Sequence, residues 1–186
     1  MKVLETERLL IRHFELGDLE AIHREVYSDP EVCHFFCRNT RTLEHTERWL
    51  RYRSYQSEHE QWGLLAVVPK ETGEVVGLCG LQPYAGLWLS LESTPEDLRK
   101  YAPLEVELTY AFGKAHWGKG YAYEACLAMI DYAFRDLRLR RLVTGADPAN
   151  VRARKLQARL GMRRERNLKA DSPDTETEGV LDNDRI

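Results

Sequence analysis

A chain of 186 residues is of ordinary size for one domain and long enough to bury a sizeable core. Its 27 basic and 30 acidic residues leave a net charge of −3, which removes any general reason to expect nucleic acid or a membrane surface as partner. With no signal peptide and no apolar run of membrane length, it reads as a cytoplasmic protein.

Glu7 to His13 reads as a first strand, after which the turn Leu16, Gly17, Asp18 caps a helix whose Leu19, Ile22 and Val26 recur at helical spacing. Ser28 to Val32 starts a short turn, and a longer helix follows Thr42, with Leu43, Trp49, Leu50 and Tyr52 set among charges. Gln61 to Val68 and Val75 to Leu81 are strand-like, and the turn-rich PKETGE between them predicts an antiparallel hairpin. The segment from Gln82 to Pro103 is irregular; STPEDLRKY within it has a capping hydroxyl, a proline and two early acids, the marks of a short inserted helix. It lies near the mouth of the site or is a surface excursion; its pattern fits both.

Leu104 to Phe112 alternates, with Glu105, Glu107 and Thr109 on one face and Val106, Leu108 and Tyr110 on the other, as in a half-buried strand. After Gly120 the period becomes helical, and apolar rows running to Leu137 leave only Glu124, Asp131, Arg135 and Arg138 for water, so this helix is expected to be mostly buried. Arg140 to Asp147 is a short strand. Asn150 caps a helix to Leu160 that Gly161 stops, and MRRER is strand-like again. Asn167 to Glu176 is polar and reads as a loop.

Cys33, Cys37, Cys79 and Cys126 lack paired metal-ligand spacing, so they read as reduced structural thiols and no metal is expected. The turn between the alternating strand and the apolar helix carries the chemical signal. A helix that begins in a glycine turn aims unpaired N–H groups and the positive end of its dipole at whatever precedes it, and phosphate is the common occupant. GKAHWGKG, Gly113 to Gly120, fits a nucleotide-binding P-loop until its last place, where Gly120 replaces the hydroxyl that would hold magnesium. A dinucleotide fingerprint begun at Gly118 fails at Tyr123. A plain tight connection with no ligand stays open on the glycines alone.

The order of these elements, with ERLLIRHFELGD near the start, HWGKGYAYEA in the middle and NVRARKLQARLGM near the end, resembles the GNAT superfamily of acetyl-CoA-dependent N-acetyltransferases. It is most similar to the branch containing the ribosomal-protein N-terminal acetyltransferases. The resemblance spans nearly the whole chain and implies one α/β (α+β) domain over residues 1–186. Its mixed, mainly antiparallel sheet would be flanked by helices and splayed to admit acetyl-CoA, with a last strand at Thr177 to Asp182. The early helices would wall the acceptor amine.

The resemblance also assigns roles. Backbone groups of Tyr110, Ala111 and Phe112 would pair with the pantetheine amides. The N–H groups of Trp117, Gly118, Lys119, Gly120, Tyr121 and Ala122 would hold the pyrophosphate, and Asn150 would touch the pantetheine arm. Lys119 could add charge there, and Arg152, Arg154 and Lys155 could meet a 3′-phosphate, though solvated side chains are the plainer meaning of all four. Glu105 or Glu107 would accept the ammonium proton, Glu107 being nearer the reacting end of the strand. Both glutamates could equally be partners of neighbouring arginines. The family's proton-returning tyrosine and serine are replaced by Gln157 and Ala153. These replacements keep a rival open, a non-catalytic acyl-CoA-binding regulatory domain. The acceptor would be a small-molecule or peptide amine, and the protein a monomer or a homodimer.

Overall fold

The computed structural model describes residues 1–84, 105–166 and 177–183. The chain forms two compact units, Met1–Gln82 with Leu108–Tyr132 and Pro83–Glu107 with Ala133–Ile186. The first contains β1 (Leu4–Glu5), β2 (Leu9–Arg12), α1 (Leu19–Ile22), α2 (Pro30–Phe36), α3 (Leu43–His59) and β3 (Gly63–Pro69). It also holds β4 (Gly77–Tyr84) as far as Gln82, the second half of β5 (Glu105–Phe112), and α4 (Tyr121–Asp131). Strand order here is β1-β2-β3-β4-β5, with the pairs β1–β2, β2–β3 and β3–β4 antiparallel.

Its core is apolar side chains from the helices meeting the sheet. Phe14, Ile22, Val26, Tyr27, Val32 and Leu50 pack with Leu64, Ala66, Val68, Val75, Leu78 and Ala111. Every residue of β3 is buried, as expected for a strand covered on both faces. Close backbone packing in the β3–β4 hairpin depends on Gly80: a methyl there would run into the Gly63 carbonyl and come within 2.7 Å of Leu64 Cα.

The second unit contains the first half of β5, β6 (Arg141–Ala146), α5 (Val151–Arg159), β7 (Arg163–Arg166) and β8 (Thr177–Asp182), in the strand order β5-β6-β8-β7. β5 and β6 pair in parallel at one register position, Glu107 opposite Val143, whereas β8 is antiparallel to both β6 and β7. Leu142, Val143, Leu160, Met162 and Val180 are among its buried apolar residues. The Asn150 side chain accepts from the Ala153 N–H at 3.1 Å, and Gly161, at φ 79°, ends α5 in the left-handed region.

The predicted strands and helices are present, with several local differences. Ser28 to Val32 does not stay a turn, because Asp29 caps the Glu31 N–H and Pro30 occupies the first position of α2. Asp18 does not cap α1; its carboxylate turns back to the Arg12 guanidinium, 2.8 Å to each oxygen, and to the Glu15 N–H. The strand at Val75 to Leu81 starts later and runs to Tyr84 as β4. α1 and α4 each end in a π-helical turn, His23–Tyr27 and Tyr132–Asp136. The helix expected in STPEDLRKY and the loop expected over 167–176 lie outside the described residues.

Gly80→Ala should destabilise the protein by about 1–3 kcal/mol, the usual range for overfilling a packed interior. Gly17→Ala is the control, since nothing lies within 4 Å of the methyl it would add. A thermal melt of the two variants checks this: Gly17→Ala should superimpose on the parent and Gly80→Ala should not.

Candidate active site

β5 delivers the chain to the glycine turn with its peptide groups already sorted. The Ala111 carbonyl points at Gly77 of β4, where a Cβ would strike it. Successive residues of a strand alternate, so Tyr110 and Phe112 direct their peptide groups to the opposite edge. The Phe112 carbonyl is already engaged, accepting the Trp117 indole N–H at 2.8 Å.

The turn itself rests on two left-handed residues, Gly118 at φ 77° and Gly120 at φ 82°, a region that side chains with a Cβ disfavour. Gly120 is the N-cap of α4, and no side chain caps that end. The N–H groups of the first turn therefore project from the helix start together with the positive end of its dipole. Lys119 is exposed beside them. His116 lies 3.3 Å from Glu25, and burial, which outweighs the attraction of that carboxylate, holds the imidazole below its ordinary 6.5. His116 is accordingly mostly neutral at neutral pH.

Glu124 was assigned to water by the helical pattern, and the structure corrects this. Its side chain is only 17% exposed, and its carboxylate gathers the Thr6 hydroxyl at 2.6 Å, the Arg8 N–H at 2.9 Å and Arg8 Nε at 2.7 Å. Arg8 extends from there along the turn: Nη1 donates to the Lys119 carbonyl at 3.0 Å, and the guanidinium lies 5.0 Å over the Tyr121 ring. A Cβ at Gly120 would come within 3.2 Å of Arg8 Nη2. The segment before β2 thus braces the glycine turn from behind. Sequence reasoning missed this brace, although Arg8 lies within ERLLIRHFELGD. No periodicity links residues 116 positions apart. Leu127, expected among the apolar rows, is 42% exposed.

In the second unit, Glu105 and Glu107 share a face of β5 as the alternation predicted. Glu105 is paired with Arg141, Oε2 to Nε at 3.4 Å. Glu107 Oε1 lies 4.0 Å from where a Cβ on exposed Gly145 would stand. Gln157, the position of the missing family tyrosine, is 2% exposed and its amide nitrogen lies 3.5 Å from the Thr144 and Gly145 carbonyls, so it serves the core. Asn150 also belongs to this unit.

The four cysteines are free thiols. Cys33 donates to the Val26 carbonyl at 3.2 Å, and burial pushes its thiol up to about 12. The Tyr110 side chain adds something the pattern did not show: its hydroxyl is buried without a hydrogen-bond partner among the described residues. Burial raises its pKa well above the ordinary range, with the Cys126 and Cys79 thiols adding to the shift, so the phenol stays protonated.

Burial favours protonation of Glu124, but the Thr6 and Arg8 hydrogen bonds and the Arg8 charge outweigh it and hold the carboxyl below its ordinary 4.5. The fold therefore favours the ionised form: this stabilisation is full above 4.5 and is lost as pH falls through the depressed folded value. Glu124→Gln should lower the melting temperature at neutral pH, and the deficit should shrink in acid. It should also raise the KM for acetyl-CoA, by about threefold to tenfold for a partly exposed ion pair, with little change in kcat. A deficit that persists well below the carboxylate range would show that shape, not charge, supports the turn.

The comparisons with known proteins agree with this geometry. Residues 8–163 match the family model described as acetyltransferase (GNAT) domain. The chain is 31% identical over 166 residues, 89% of its length and 84% of the relative's, to an uncharacterised N-acetyltransferase p20 of Bacillus licheniformis. In structure it is similar to a GNAT-family acetyltransferase from Bacillus anthracis, with TM-score 0.74, 25% identity and 96% of each chain covered. It also shares its fold with RimL, a ribosomal L7/L12 α-N-protein acetyltransferase in complex with coenzyme A, at TM-score 0.76, 12% identity and full coverage of both chains. With a glycine turn opening α4 and a family match over most of its length, the chain belongs to the GNAT acetyltransferases.

Proposed function

We propose that the chain, working as one domain, transfers the acetyl group of acetyl-CoA to a primary amine of a small molecule or peptide by direct attack. The observation that carries this reading is the glycine turn: two left-handed residues open an uncapped helix, and Arg8 and Glu124 brace it. That cradle fits a pyrophosphate, and a side chain at Gly120 would intrude on it.

The N–H groups from Trp117 to Ala122 hold the pyrophosphate and Lys119 adds positive charge. Of Tyr110, Ala111 and Phe112, the peptide groups of Tyr110 and the Phe112 N–H face away from β4 and receive the pantetheine arm, whereas the Ala111 carbonyl faces β4 and the Phe112 carbonyl is held by Trp117. Asn150 enters as the pantetheine contact that the family resemblance implies, in addition to its cap on α5. Acetyl-CoA supplies the activated carbonyl: the C–N bond forms as the C–S bond breaks, the amine gives up a proton, and the thiolate leaves. Glu107, nearer than Glu105 to the reacting end of the strand, takes the proton directly or through water. The buried Gln157 is not assigned to proton return, which water supplies at the leaving thiolate.

Release of free thiol across an amine panel, with calorimetric coenzyme A binding alongside, tests the reading. Binding without turnover on any amine would favour a regulatory acyl-CoA-binding domain instead. Gly120→Val should fold and lose coenzyme A affinity by at least tenfold, since a φ of 82° disfavours any residue with a Cβ and the new side chain would press on Arg8 Nη2, 3.2 Å from that Cβ. Unchanged affinity in a folded variant would remove the pyrophosphate assignment. Glu107→Gln should reduce kcat by about 10²-fold or more, partly recovered at higher pH where more amine is already neutral. Normal turnover with lowered stability would make Glu107 a structural residue.

A further inference from the structure

Four arginines of the first unit pair with acids: Arg8 with Glu124, Arg12 with Asp18, Arg24 with Glu25, Arg51 with Glu47. Arg41 and Arg53 differ. Neither forms an ion pair with any carboxylate among the described residues, yet both guanidiniums sit over aromatic rings, Arg41 4.4 Å from the Tyr27 centroid and Arg53 5.4 Å from Tyr52. Trp49 lies farther, 6.0 Å from Arg53.

Arg53 is held by neutral groups. Nη1 donates to Gln56 Oε1 at 2.7 Å and Nη2 to Gln82 Oε1 at 2.8 Å, while Nε is buried with no partner among the described residues. Burial lowers its pKa below the usual arginine range, and the neighbouring Arg41 charge works in the same direction. Glu60 is the nearest acid in this network, reached only through the Gln56 amide at 3.0 Å. A desolvated guanidinium without a counter-ion is costly, and two that repel each other are costlier. Amide oxygens and ring faces offset part of that cost and leave the net charge in place.

The position of this charge matters for the reaction. Gln82, which holds Arg53, donates on to Thr109 Oγ1 at 3.0 Å, so an unbroken chain of side chains runs from α3 across β4 to β5. Thr109 precedes Tyr110, the first of the residues proposed to receive the pantetheine arm. The guanidinium is therefore fixed on the face of β5 that carries Thr109, by contacts that leave donors of its planar fork uncommitted.

We propose that Arg53, with Arg41 beside it, is a carboxylate subsite, so that the acceptor is a small amine that also carries a carboxylate, such as an amino acid. This rests on the N-acetyltransferase reading above. The carboxylate completes the guanidinium fork, neutralises the paired positive charges and holds the amine near β5. Gln56 and Gln82 orient the fork without cancelling its charge, which a glutamate at either position would do.

The experiment has two arms. In the first, thiol release is measured with amino acids and ω-amino acids against their carboxamides, for the parent, Arg53→Gln and Arg53→Lys. The parent should favour the carboxylate by about tenfold or more in kcat/KM; Arg53→Gln should abolish that preference, and Arg53→Lys should restore part of it. In the second, N-acetylated amino acids and their carboxamides are titrated calorimetrically into the coenzyme A complex, a readout that needs no turnover. Carboxylate-selective binding that weakens with salt and disappears in Arg53→Gln supports the subsite. Equal binding of acid and amide, or selectivity unchanged in the variant, overturns it. If Arg53→Gln does not fold, Arg41→Gln, whose side chain makes a ring contact and no ion pair, should still cut the selectivity at least threefold, and an unchanged ratio overturns the subsite. Turnover without carboxylate preference would sink the subsite and spare the acetyltransferase reading. Selective binding with no turnover on any amine would do the reverse.

Discussion

The glycine turn stands on one carboxylate. Glu124, in the first turn of α4, receives a hydroxyl, a backbone N–H and a guanidinium from the segment that leads into β2, and the same guanidinium reaches the Lys119 carbonyl within the turn. Two left-handed glycines give the turn its shape at the expense of chain entropy, and with no side chain to pack they cannot hold that shape themselves. The rigidity comes from elsewhere in the sequence. The Arg8–Glu124 ion pair, partly exposed, ties the turn to the segment before β2.

Sequence patterns captured what depends on neighbours in the chain. The alternation of β5, the Asn150 cap and the Gly161 stop are set by residues a few places apart, and each takes the form its pattern implies; in α4 the pattern holds only in part, with Ala125, Cys126 and Met129 buried and Leu127 exposed. β1 escaped because two residues carry no period, and α2 was read as a turn although Asp29 and Pro30 are a helix-start signature. The larger misses are long-range. A helical wheel places Glu124 in water because it cannot see Arg8, and it treats Arg53 as one charge among many because Gln82 and Thr109 lie on other strands. For the candidate site, the glycine turn was therefore legible and its support was not.

The two sides of β5 are chemically distinct. Val106 and Leu108 are buried, and the Tyr110 hydroxyl is enclosed near the Cys79 and Cys126 thiols, so that face offers only apolar contact and weak donors. The other face carries Glu105, Glu107 and Thr109, with Arg141 and Gln82 as their neighbours. One face anchors the strand in the core, and the other can handle protons and charge. A strand with a single alternation does both because its side-chain period is two.

Trp117 has a consequence beyond its packing. A strand edge with uncommitted peptide groups invites addition of another strand, including one from a second protein, and natural sheets take measures against this. The Trp117 indole occupies the Phe112 carbonyl, the final one of β5, and it does so from within the turn that follows. The strand is thereby terminated by its own loop.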